Sequence, residues 1–216
     1  MRTRMVAKEE LADRLLKKFG HNEPIFTSEI IKTWKEYSRP RVFQLLRELL
    51  KDGLITKSRP GVYFFPTQLR GGEWTIIGHH QILEKKFIRR GEERFGYYSG
   101  LKLLNGLHLI TQMPFDLELI SSKTSASVRK IQMGRATLTV HRSKVPITKD
   151  NVQTLKLLQA FTDIGQLPSR KQTAYLKEYV ELYNIKEKDV LHYARYFPAY
   201  TLERLLETGM KNVFAQ

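Results

Sequence analysis

Apolar residues recur at helical spacing through the first fifty positions. Over residues 6–19, Leu11, Leu15, Leu16 and Phe19 fall on one side of a helix, and "GHNEP" from Gly20 stops it. In "IFTSEIIKTW" the expected N-cap is Thr27 or Ser28, with Glu29 in the first turn and Ile30, Ile31 and Trp34 facing inward. Ser38 then stands where it can cap a third helix, and Pro40 in the first turn loses only an amide that had no partner. Val42, Leu45, Leu46 and Leu49 form the apolar stripe of that helix, with Arg41, Gln44, Arg47, Glu48 and Lys51 opposite. "KDG" ends it at Gly53, and "LITKSRPGVYFF" reads as two short strands around a turn at 58–61.

The pattern breaks at "PTQLRGGEW", so a domain boundary is expected at 66–72. Beyond it the signals mix. A helix runs from near Ser99 to Gly106 with Leu101, Leu104 and Leu107 inward, Ser99 serving as its N-cap and Asn105-Gly106 as its end. "FDLELIS" alternates as a strand, and "SVRKIQM" with "ATLTVHR" forms a hairpin around Gly134 and Arg135. From Thr148 the ladder Val152, Leu155, Leu158 and Phe161 is helical, and two or three more amphipathic helices follow around 169–183, 188–196 and 199–207. The expected fold class is therefore α+β: three helices and a hairpin over 1–66, then a mixed α/β domain over 72–216 that ends in a helical segment. There is no internal repeat and no low-complexity tract.

Charge changes this picture from a fold to a class of partner. The 216 residues carry 37 Lys and Arg against 22 Asp and Glu, a formal charge of +15, which favours a polyanion such as nucleic acid. The excess is concentrated early: 15 basic and 8 acidic groups over 1–70, 12 and 6 over 71–145, 10 and 8 over 146–216. The absence of cysteine removes disulfides and thiolate metal sites and suits a reducing cytosol. No apolar run reaches the length of a membrane span, and "MRTRMVAKEE" has no signal-peptide core, so the expectation is a cytoplasmic protein with no membrane partner.

Three helices followed by a hairpin is the order of a winged helix-turn-helix, whose third helix enters the major groove by its N-terminal end while the wing covers phosphates. On that reading Arg39, Arg41 and Gln44 face base edges, which arginine and glutamine can contact in a bidentate way. Ser38, Arg47, Lys51, Lys57 and Arg59 are placed for phosphate. Charges on the outer face of an amphipathic helix also serve solubility alone, so the pattern is weighed with the net charge and with the clustering at both ends of the motif.

Residues 97–114, "YYSGLKLLNGLHLITQMP", resemble a segment of the AbiEi-type antitoxins, in which a winged helix precedes an antitoxin domain. Tyr98, Ser99, Gly100, Leu104, Asn105, Leu109, Thr111, Gln112 and Pro114 fit the family pattern. Leu103 stands where alanine is usual, and Gly106-Leu107-His108 where a bulky residue precedes Gly-Leu. The late "ARYFPAYTLERLLE" is similar to the family's C-terminal helix pair. The resemblance implies a bifunctional protein from a type IV toxin-antitoxin system. Its winged helix would bind inverted repeats of double-stranded DNA in the promoter of its own operon. Its second domain would counteract a nucleotidyltransferase-like toxin, with direct contact left open. The exposed candidates for antitoxin work are Lys85, Lys86, Arg89, Arg90, Arg129, Lys130, Arg135 and Arg142. Two other readings stand beside this one: a transcription regulator whose second domain senses a ligand or dimerises, and an interaction module with no DNA role.

Catalytic chemistry has little to stand on. Asp116 and Glu118 alternate on one strand near Lys123, but the lysine lies too far along for a metal-dependent nuclease motif. His79 and His80 are adjacent and diverge, Ser99 lacks the glycine of a nucleophile elbow, and Gly96 with Gly100 makes no phosphate-binding fingerprint. Arg70-Gly71-Gly72 is simply a linker. No enzyme activity, cofactor or metal is expected.

Overall fold

A computed structural model describes residues 2–210 and Phe214, with side chains from Lys8 onward; Met1, 211–213, 215 and 216, which close the two expected domains, lie outside the described residues. The fold is mixed α+β, and the chain divides after Ile82 into two compact units.

The first unit runs α1 (Arg2–Phe19), β1 (Ile25–Phe26), α2 (Thr27–Thr33), α3 (Arg39–Lys51), β2 (Thr56–Arg59) and β3 (Val62–Phe64). Its antiparallel sheet has the order β1-β3-β2, with Tyr63 opposite both Ile25 and Lys57. Leu11 and Leu15 of α1, Ile30 and Trp34 of α2, and the Val42, Leu45, Leu46 and Leu49 stripe of α3 make one buried core, as the helical periodicity predicts. Ile31 is only partly buried at its edge.

The start of α2 differs from expectation: its N-cap is Phe26, not Thr27 or Ser28. Thr27 donates both its amide (2.9 Å) and its hydroxyl (3.2 Å) to the Gly61 carbonyl, so that side chain ties the helix to the β2–β3 turn. The orphan amide of Phe26 instead donates to Glu29 Oε2 at 2.9 Å.

The boundary expected at 66–72 is also displaced. The segment after β3 folds back on itself through Thr75 N to Thr67 O and Leu69 N to Glu73 O, and the Asn22 amide donates to Thr67 Oγ1. Ile77 and Ile82 then pack with Val62 and Phe64, which keeps residues up to Ile82 with the first unit. The division falls inside α4 (His79–Phe87).

The second unit continues with the short antiparallel pair β4 (Arg89–Arg90) and β5 (Glu93–Arg94), then β6 (Gly96–Ser99), α5 (Gly100–Gly106), β7 (Leu117–Ser121), β8 (Val128–Met133) and β9 (Ala136–Arg142). Four helices follow: α6 (Val152–Asp163), α7 (Arg170–Leu182), α8 (Glu187–Ala194) and α9 (Ala199–Glu207). The sheet order is β6-β7-β9-β8, with β7 and β9 parallel and the other neighbours antiparallel. Alternation along the strands gives the sheet two covered faces. Leu119, Leu138 and Val140 pack with Leu83, Phe87 and Ile88, while Tyr97 and Ile120 pack with Ile147, Val152 and Leu155. At the edge strand, a Cβ on Gly96 would lie 2.0 Å from the Phe87 carbonyl oxygen, so only glycine lets these backbones approach.

Helix α5 turns Leu103, Leu104 and Leu107 inward, while Leu101, expected to be buried, is 39% exposed. Leu103 and Leu104 join the Leu157, Leu158 and Phe161 face of α6, with Leu176, Val180, Val190 and Leu205 from the last three helices. Among the described residues no helix is long and apolar enough to cross a membrane.

Candidate functional site

Two places in the chain hold uncompensated charge, one in each unit. In the first unit, Ser38 occupies the N-cap position of α3 with extended backbone, but its hydroxyl makes no capping hydrogen bond, and Arg39 is exposed next to it. Arg41 is half-buried: its Nη1 donates to Gln44 Oε1 at 2.8 Å and lies 3.9 Å from Glu48 Oε1. Two of the three side chains proposed to read bases, Arg41 and Gln44, are thus bonded to each other along the helix. Arg47 Nε donates back to the Phe43 carbonyl at 3.3 Å, and Lys51 is exposed in the last turn.

On β2, Lys57 is exposed and Arg59 half-buried, and a bulge between them breaks the alternation that would otherwise send both to one face. Arg59 acts on His79, whose pKa is held below its ordinary value first by burial and then by this charge. The sequence gives no hint of that neighbour, because twenty residues separate the two.

The contrast within the unit is informative. On α1, Lys8 pairs with Asp52, and Arg14 pairs with Glu36 while donating to the Thr33 carbonyl. Among the described residues, Arg39, Arg47, Lys51, Lys57 and Arg59 form no ion pair.

The eight cations proposed as an antitoxin surface do not share one face. Lys85 and Lys86 lie in the last turn of α4, Arg89 and Arg90 form β4, Arg129 and Lys130 lie on β8, Arg135 is in the β8–β9 turn, and Arg142 ends β9. Lys86 and Arg129 come close enough that burial, and then Arg129, lower the Lys86 pKa. Alternation on β8 sends Lys130 to the opposite side from Arg129. Arg89 is paired with Glu84 at 2.8 Å, and Arg142 donates to the Ser125 carbonyl at 3.2 Å.

The second place was not legible in the sequence. Side chains from β6, β7, β9, α6 and residues 196–198 line a cleft of about 710 Å³. Ser99 stands directly across the β6–β7 ladder from Glu118, whose Oε2 lies 3.9 Å from His141 Nε2. From α6, Asp163 Oδ2 accepts the Gly100 amide at 2.7 Å, and Oδ1 accepts from Gln159 Nε2 at 2.7 Å. A Cβ on Gly100 would lie 3.3 Å from the Glu118 carboxyl carbon, so both carboxylates converge on this one glycine. Burial raises the Asp163 pKa, and the charge of Glu118 adds to it against the hydrogen bonds from Gly100 and Gln159.

Ser99 is at the N-cap of α5 as expected, yet Asp163 takes the role of its hydroxyl. The Ser99 Oγ is buried without a hydrogen-bond partner among the described residues. The trio weighed from sequence is not assembled. Asp116 Oδ1 accepts from the Thr137 amide at 2.7 Å, and Lys123 pairs with Glu93 at 2.8 Å. Among the described residues no group of three or more His, Asp and Glu is arranged to hold a metal ion. Compared with known proteins, the chain matches no family model and no curated relative.

Proposed function

We propose that the protein is a regulator that binds double-stranded DNA through a winged helix-turn-helix in its first unit, with α3 as the recognition helix and β2–β3 as the wing. One observation carries this reading. Among the described residues, Arg39, Arg47 and Lys51 of α3 and Lys57 and Arg59 of β2 form no ion pair, while Lys8 and Arg14 of α1 each pair with a carboxylate, and unpaired lysine and arginine at the two groove-facing ends suit phosphate contact. The resemblance to AbiEi-type antitoxins extends the proposal: the DNA is an inverted repeat in the promoter of a two-gene toxin-antitoxin operon, which the protein represses. On that extension the second unit counteracts a nucleotidyltransferase-like toxin in the cytoplasm, without enzymatic activity of its own.

Titration of labelled promoter DNA and of random duplex tests the first part. Arg39→Ala is expected to weaken promoter binding by about 1–3 kcal/mol and random binding by less, whereas Lys57→Ala weakens both alike. Equal loss on both duplexes from Arg39→Ala removes the base-reading role, and no measurable duplex binding by the wild type removes the DNA reading. For the second part, co-expression with the product of the adjacent reading frame should rescue growth, and a neighbour that is not nucleotidyltransferase-like refutes the antitoxin extension.

A further inference from the structure

In a chain with a formal charge of +15, two carboxylates converge in the cleft of the second unit, and among the described residues no lysine or arginine forms an ion pair with either. Arg142 and Lys144 line the same cleft, yet each donates to a backbone carbonyl, of Ser125 and of Tyr196 (3.0 Å), and not to either carboxylate. Among the described residues, His141 is the basic side chain that approaches Glu118, at 3.9 Å. Asp163 is half-buried while Glu118 is exposed, and holding a second carboxylate beside a partly desolvated one is costly unless a positive group or a proton sits between them. Ser99, only 2% exposed, is part of the lining of the same cleft, and among the described residues its hydroxyl lacks the hydrogen bond that a buried polar group ordinarily makes.

We propose that this cleft binds a small organic cation, an ammonium or guanidinium head on a short hydrocarbon body, held by Glu118 and Asp163 with the Ser99 hydroxyl as a further acceptor. The donor geometry selects an organic head over a metal. Both Asp163 oxygens already accept a hydrogen bond and retain lone pairs for another N–H, whereas the acids and His141 do not gather into a metal-ligating group. Charge-assisted N–H to carboxylate bonds are the strong class of hydrogen bond and reward this arrangement. The hydrocarbon body lies against Ile120, Leu155 and Phe197, which supply the apolar wall. The assignment is independent of DNA binding, since every group in it belongs to the second unit.

Calorimetric titration of the full chain with n-butylguanidinium, n-butylammonium and the uncharged n-butylurea tests it. At least one of the cations is expected to bind saturably at millimolar concentration or below, and the urea not to bind. Glu118→Gln and Asp163→Asn should each weaken binding by about tenfold or more, the loss of one charge-assisted contact. Ser99→Ala should weaken it several-fold. Asn at 163 keeps an acceptor for the Gly100 amide, and Glu118→Gln, at an exposed strand position, decides the matter if the α6 variant does not fold. Failure of both cations to saturate, unchanged affinity in Glu118→Gln, or Mg²⁺ alone displacing the bound cation would each overturn the proposal.

Discussion

Lys156 on α6 shows how a single side chain reports its surroundings. Burial, and then the charge of Arg94, lower its pKa to about 8. Below that value both folded and unfolded chains carry the ammonium, and the folded state bears the cost of holding it away from water. Between about 8 and the ordinary 10.5 the folded state has released the proton while the unfolded chain retains it, so stability rises with pH. Lys156→Met should therefore raise the melting temperature at pH 7 and flatten the rise above pH 8. Melting curves across this window check both effects. A wild type whose stability does not rise there would show that Lys156 is better hydrated than its position implies. The half-buried Tyr98, with its pKa raised to about 12, acts with the opposite sign above its ordinary value of 10.0, so the rise is read between about pH 8 and 10. Such single-residue environments are invisible to periodicity. Arg41 illustrates it: its outward position follows from the helical repeat, but its bond to Gln44 and its approach to Glu48 are rotamer choices that no spacing encodes.

At the scale of elements, the helices with long stripes were legible and the short pieces were not. The α3 stripe spans two turns, so its phase is unambiguous, and the same holds for the α6 ladder. Helix α5 has seven residues, too few to fix a phase among its three leucines: Leu104 faces inward as expected, but with Leu103 beside it and not Leu101. Strand β1 has two residues and runs directly into α2, so a reading by alternation had nothing to count. That junction makes a prediction. Glu29 is buried and accepts the Phe26 amide in place of a serine or threonine cap. Glu29→Ala should destabilise the protein by about 1 kcal/mol, within the range for a lost helix cap. Chemical denaturation measures it, and an unchanged midpoint would mean that solvent replaces the carboxylate at no cost.

For the whole molecule, charge and topology act over distances that local patterns do not reach. If Arg39, Arg47, Lys51, Lys57 and Arg59 all meet phosphate or groove, the logarithm of duplex affinity should fall against the logarithm of salt with a slope of about −4 to −5. Fluorescence anisotropy over a salt series gives that slope, and a value near zero would exclude an electrostatic footprint of this size. The acid-lined cleft went unseen for a topological reason. Its residues extend from Tyr97 to Pro198, and the parallel pairing of β7 with β9 is what sets Glu118 near His141. That pairing has one more consequence. Because β9 lies between β7 and β8 although it follows both in the chain, residues 122–127 must bridge a gap of about 10 Å, two strand spacings, that nothing fills until 136–142 arrive. A chain truncated before residue 136 would therefore leave β7 and β8 with no strand to join them, because β9 is the sole neighbour that both share in this sheet.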